Sequence, residues 1–383
     1  MTRVADESWL DRAVISERSR AWAATMHGHV DGEVRLAHQT TQVRLQPATP
    51  LMREERESIE AATMIHGATR SIGGGRRSIE EEPDPLRTCF ERDRDRILHS
   101  SAYRRLAGKT QVFVSPNDHQ RTRLTHALEV AQVARSIAGA LRLNLALAEA
   151  IAIGHDCGHG PGGHASEDAL SPYLSEGYDH AVWGADVVLA PLNLCAQTID
   201  GIRNHSWSRP APMTSEGEVV SWADRIAYVC HDFEDAAAAG ILTTNALPAS
   251  VRELCGDSRS SQLNAFIRAV VGCASSTGHV GMDPAMAEAL ADFRRLNYER
   301  IYLRPASQAQ AVQVIAVLRA LTDYYIDRPN LVPDADRTRG LTAGTPEAIR
   351  CAVTYVGGMT DRFAFAQAIS LLSWDRRELP AGI

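Results

Sequence analysis

Three histidines and an aspartate crowd the glycine-rich stretch GHDCGHGPGGH at residues 154 to 164. Neutral imidazole and carboxylate are good ligands for borderline divalent cations, and the pair His155-Asp156 at a helix end aims both side chains toward one point. His126, upstream in RLTHALEVAQVAR, and Asp224, downstream in VVSWADRIAYVCHDFEDA, complete a set of two histidines and two aspartates. Asp224 stands among Trp222, Ala223, Ile226 and Ala227. A carboxylate in such apolar company needs a partner, either a cation or an arginine. His159 and His164 lie just beyond, where an imidazole titrating near neutrality suits proton transfer.

Helices must position these residues. In RLTHALEVAQVARSIAGALRL the residues Leu124, Ala127, Leu128, Ala131, Ala134, Ile137, Ala138 and Leu141 fall at steps of three and four, which predicts a buried helix. LNLALAEAIAIGHDCGH predicts an apolar helix that carries His155 and Asp156 at its end, where glycine and proline break it. GEVVSWADRIAYVCHDFEDAAAAG predicts a third, capped at Gly240. Steps of four keep its Asp224, Tyr228 and Asp232 along one slowly drifting face. Long helices continue through MAEALADFRRLNYERIY and AQAVQVIAVLRALTDYYI while strand patterns are rare, so the fold class is all-α. Residues 1–85 alternate helical pieces with SIGGGRRS and EEEPDP. They read as an N-terminal extension and linker, partly disordered, or as the product of a start codon upstream of a true one near Met52 or Met64. Residues 86–383 read as the catalytic region, with 330–345 as a late surface loop.

The net charge of −7 over 383 residues argues against a generally basic surface for duplex DNA and leaves room for a local basic pocket. The seven scattered cysteines contain no C-x-x-C pair, which points to a reducing cytoplasm rather than a disulfide framework. The N-terminus lacks a secretory pattern, and no segment reaches the roughly 20 apolar residues of a membrane span.

Longer stretches agree with the motif set: FERDRDRILHSSAYRRLAGKTQVF at 90–113, RTRLTHALEVAQVAR at 121–135, GHDCGHGPGGHASED at 154–168, VVSWADRIAYVCHDFEDA at 219–236 and YVGGMTDRFA at 355–364. In this order they resemble the HD-domain phosphohydrolases, and among them the deoxyguanosinetriphosphate triphosphohydrolase-like proteins. The resemblance implies hydrolysis of a deoxynucleoside 5′-triphosphate (dNTP) to nucleoside and tripolyphosphate. It implies His126, His155, Asp156 and Asp224 as ligands of a divalent metal ion, Mg²⁺ or Mn²⁺ first, with Fe, Co, Ni or Zn as alternatives. His159 and His164 match active-site histidines and Glu167 an acidic residue; His164 is the expected general acid, oriented by Glu167. His180 matches a further phosphate-contacting histidine, with a surface loop residue as the alternative. Arg123 and Arg225 match phosphate-binding arginines, Tyr228 a ring beneath the deoxyribose and Asp232 an acceptor for the 3′-hydroxyl. Arg294 and Tyr302 match another phosphate contact and another nucleotide contact, although ordinary amphipathic helix chemistry explains them equally well. Arg105 and Gln111 are expected to border the nucleotide site.

The resemblance further implies a homo-oligomer, and it allows a nucleotide or single-stranded DNA regulator. Two rivals stand beside it: another HD-type nucleotide phosphohydrolase or phosphodiesterase, and a non-catalytic dNTP sensor. One departure stands out. The family's G-H-P-P-F-G-H loop is here Gly158 to His164 with glycine at 160 and 162, which predicts a looser loop.

Overall fold

The computed structural model describes residues 16–114, 116–333 and 338–380. Two compact units divide the chain, residues 1–50 and 51–383. Within the first, Ser16 caps a short helix, Glu17–Ala24. His29–Asp31 pairs antiparallel with Val34–Leu36, placing Val30 opposite Arg35. This hairpin is the only sheet among the described residues.

The second unit is helical, as the periodicity predicts. Its principal elements are α1 (Cys89–His99), α2 (Arg123–Ala140), α3 (Leu145–Gly154), α4 (Ala165–Leu170), α5 (Ala196–Arg203), α6 (Ser215–Ala238), α7 (Arg259–Thr277), α8 (Pro284–Asn297), α9 (Pro305–Asp327), α10 (Pro346–Gly357) and α11 (Asp361–Leu372). No helix among the described residues is long and apolar enough to cross a membrane.

Residues 51–85, read from composition as part of a linker, belong to this unit. Buried Glu216 at the start of α6 accepts from Thr69 N at 3.0 Å, Thr69 Oγ1 at 2.7 Å and Asn144 N at 2.9 Å. Arg77 pairs with Asp93 of α1 at 2.6 Å, and both side chains are almost wholly buried. These are charge-assisted contacts to distant residues, which local composition does not reveal.

Two apolar cores result. One gathers α1, α2, α3 and α6; the other gathers α4, α9, α10 and α11. Helix α3 is buried almost all round, as a helix without a polar face must be. The stripe on α2 needs one correction. Leu128 is 51% exposed, while Val130 and Val133 are fully buried. Neighbours cover α2 on a wider arc than a single stripe, and that arc excludes position 128. The loop 155–164 runs from the end of α3 to the start of α4, from one core to the other.

Candidate active site

His126 comes from the first turn of α2, His155 and Asp156 from the end of α3, and Asp224 from α6. Ligand atoms of His126, His155 and Asp224 all lie within 4.8 Å of one another. His126 Nε2 is 3.0 Å from Asp224 Oδ1, and His155 Nε2 is 3.7 Å from the same oxygen. Asp156 places Oδ1 3.4 Å from His155 Nε2 and Oδ2 3.9 Å from His126 Nε2.

The tautomer of His155 follows from its surroundings. Its Nδ1 lies 2.6 Å from the Ala152 carbonyl, which can only accept, so Nδ1 carries the proton and Nε2 the lone pair. That Nε2 is buried with no hydrogen-bond partner. An orphaned imidazole lone pair facing two carboxylates, oriented by a carbonyl behind it, is the donor set a divalent cation requires. His126, His155 and Asp224 therefore fit a metal ion, and Asp156, paired with Arg123, stands beside them.

Beyond them opens a cavity of about 450 Å³. All the side chains expected at the site line it except His155, Glu167 and Arg105. His155 is fully buried. Glu167 reaches the site through His180, accepting from its Nδ1 at 2.5 Å and its backbone N at 3.0 Å. This corrects the expected pairing of Glu167 with His164. The His164 ring opens onto the cavity and makes no hydrogen bond among the described residues. Desolvation, with the positive charges of Arg123 and His180, pushes it down to about 4. Its ring is exposed to the cavity and has no carboxylate partner of the kind that Glu167 gives His180. His180 differs: burial lowers its pKa, but the bond to and charge of Glu167 outweigh that and hold it above the ordinary 6.5. His180 also stacks on His159, ring centroids 3.7 Å apart.

Arg123 is buried and gives Nη1 to Asp156 Oδ2 at 2.8 Å, while its Nε and Nη2 have no partner. Arg225 lies over the Trp207 ring, its Cζ 3.4 Å from the centroid. Arg294 Nε donates to the Tyr228 hydroxyl at 2.8 Å. Tyr302 donates to Asp232 Oδ2, and Asp232 Oδ1 is buried and unpartnered. Burial raises the Asp232 carboxyl to about 7. Gln111 lines this cavity as expected, whereas Arg105 lines a separate one.

Sequence reading missed two residues here. His205 follows α5 in RNHSW; its Nδ1 faces the Ile202 carbonyl at 2.8 Å, and its Nε2 is 3.3 Å from His180 Nε2. Trp207 supplies the face beneath Arg225. Neither belongs to a spacing pattern with the metal set; only the fold of the loop after α5 brings them in.

The glycines of the loop answer to packing rather than looseness. Gly162 and Gly163 have φ of 72° and 63°. A Cβ at 162 would meet Val314 Cγ1 at 2.4 Å, and one at 163 would meet Arg123 Nη2 at 2.8 Å. Glycine is needed for both the left-handed backbone and the close approach. Residues 158–163 are buried, and Gly162 N donates to Asp361 Oδ1 at 2.9 Å.

Residues 123–229 match the HD domain family and residues 280–369 the phosphohydrolase-associated domain family. The deoxyguanosinetriphosphate triphosphohydrolase-like protein of Caldanaerobacter subterraneus subsp. tengcongensis is 39% identical, over 82% of this chain and 93% of that protein. Proteins of the same description from Clostridium perfringens and Desulfatibacillum aliphaticivorans are 38% and 37% identical, covering 82% of this chain and 95% and 96% of theirs.

Proposed function

The chain belongs to the deoxyguanosinetriphosphate triphosphohydrolase-like family of HD-domain phosphohydrolases, and on that premise we propose that it hydrolyses a dNTP to deoxynucleoside and tripolyphosphate. One observation carries the reading: a single cavity holds the His126, Asp156 and Asp224 set, three arginines, a histidine backed by a carboxylate, and a tyrosine beside an unpartnered aspartate oxygen. A triphosphate needs the arginines, a nucleoside leaving group needs the acid, and a sugar needs the aspartate.

A divalent cation held by His126, His155, Asp156 and Asp224 would supply Lewis acidity and charge neutralisation at the α-phosphate. The chain's own groups do the rest. Arg123 offers Nε and Nη2 to phosphate oxygens, and both are already desolvated. Arg225, held over the Trp207 ring, lines the same cavity. Water attacks the α-phosphorus and its oxygen becomes part of the tripolyphosphate, while the bond from α-phosphorus to the sugar 5′-oxygen breaks, leaving an alkoxide that is a strong base. His180, its protonated form favoured by the bond to Glu167, donates the proton that the leaving oxygen needs. Asp232 Oδ1 accepts from the 3′-hydroxyl, and the Tyr228 ring packs where a ribose 2′-hydroxyl would project.

Incubating the purified chain with each dNTP and Mg²⁺ or Mn²⁺, then resolving products by anion-exchange chromatography, tests the proposal. Deoxynucleoside and tripolyphosphate in equal amounts are expected. Orthophosphate or pyrophosphate without tripolyphosphate would overturn it.

A further inference from the structure

A second cavity, of about 780 Å³, opens beside α10 and the turn leading into α11. Its volume suits a small molecule. Much of its wall comes from YVGGMTDRFA, and no residue of that stretch lines the candidate active site. Tyr355, Met359 and Phe363 make an aromatic and apolar surface, with Phe363 43% exposed.

The wall also contains Arg105, which is half-buried. Its guanidinium donates one hydrogen bond, to Ser101 Oγ at 3.3 Å, and its Nε is buried without a partner. No carboxylate among the described residues pairs with it, and Glu347, the only carboxylate among the described residues of the wall, forms no ion pair with it. The other arginine there, Arg350, is already engaged: it pairs with Glu176 at 2.8 Å and lies over the Trp183 ring at 5.0 Å. A desolvated guanidinium without an anion is costly, and its fork matches a phosphate, phosphonate or carboxylate.

The wall is tied to the catalytic loop. Buried Lys109 donates to Gly357 O at 3.0 Å and to His159 O. Asp361 accepts from Thr110 N at 3.0 Å and from Gly162 N at 2.9 Å. The turn 357–361, which gives Gly358, Met359 and Thr360 to the cavity wall, is therefore tied through Lys109 and Asp361 to the backbone of His159 and Gly162.

We propose that this cavity is a second ligand site for a small aromatic anion, its charged head on Arg105 and its ring on Tyr355, Met359 and Phe363, and that occupancy steadies the catalytic loop. The test is calorimetric titration of the full chain with phenylphosphonate, whose P–C bond resists hydrolysis, and with benzoate, which separates a phosphorus-bearing head from a carboxylate. Saturable binding of at least one probe is expected, retained in Asp224→Asn and weakened about tenfold or more in Arg105→Met. Phe363→Asp, at an exposed position, places a like charge in the cavity and is expected to weaken binding similarly even if Arg105→Met folds poorly. Amide exchange across residues 158–164 is expected to slow with the bound probe in the wild type and to stay unchanged in Phe363→Asp. Absence of binding, wild-type affinity in both cavity variants, loss only in Asp224→Asn, or unchanged exchange in the wild type would overturn the proposal.

Discussion

Gly162→Ala adds one methyl group to the loop between the two cores. With φ at 72°, a residue bearing Cβ is strained by roughly 1–2 kcal/mol. The new methyl would also stand 2.4 Å from Val314 Cγ1 and 3.1 Å from its Cγ2, inside a packed core. Overpacking of this kind costs about 1–3 kcal/mol. The variant should therefore lose about 2–5 kcal/mol, a large share of the roughly 5–15 kcal/mol a domain holds. Urea unfolding at constant m-value measures the loss. Val314→Ala separates the two contributions, because it deletes the two atoms nearest the new methyl and leaves only Cβ, at 3.3 Å. In Gly162→Ala with Val314→Ala, most of the steric part should vanish and the backbone strain remain. The double variant should then be more stable than the sum of the singles predicts, by about 1–3 kcal/mol. Additivity within about 0.5 kcal/mol, or a loss below about 1 kcal/mol for Gly162→Ala alone, would refute the packing account of this loop.

Glu167→Gln removes the charge that holds the His180 pKa above 6.5. Since an acid works only while protonated, kcat/KM should hold below that pKa and fall as pH rises through it. The variant should move this falling limb to lower pH, and an unmoved limb would refute His180 as the acid. Asp156→Ala should lose bound metal, by elemental analysis, together with turnover; unchanged metal content and rate would refute the ligand assignment. Lys109, pushed by burial from 10.5 down to about 7, makes stability depend on pH. Between about pH 7 and 10 the unfolded chain holds this proton and the folded one does not, so the cost of burying the charge, full below 7, is relieved as pH rises. Chemical unfolding across that range should show wild-type stability rising relative to Lys109→Met by at most about 1.4 kcal/mol per pH unit. A flat difference would show that Lys109 keeps its proton.

The helices were legible because their signal is local. The apolar run of α3, the repeat through α2 and the breaker residues after His155 each lie within one segment, and helix formation reads such segments one turn at a time. The order of His126, His155, Asp156 and Asp224 was legible for a related reason, since residue type constrains which side chains can serve as ligands. Partnership was not legible. Glu167 serves His180 rather than His164, and Lys109 joins Gly357 to His159. Asp361 anchors Gly162, and Trp207 underlies Arg225. Each of these depends on which surfaces meet once the helices pack. Lys109 and Gly357 are 248 residues apart, and no periodicity spans that distance. The glycines of the loop show the same division. Their number is plain in the sequence and suggests freedom, but Val314 and Arg123, brought against them only by packing, make glycine a steric requirement.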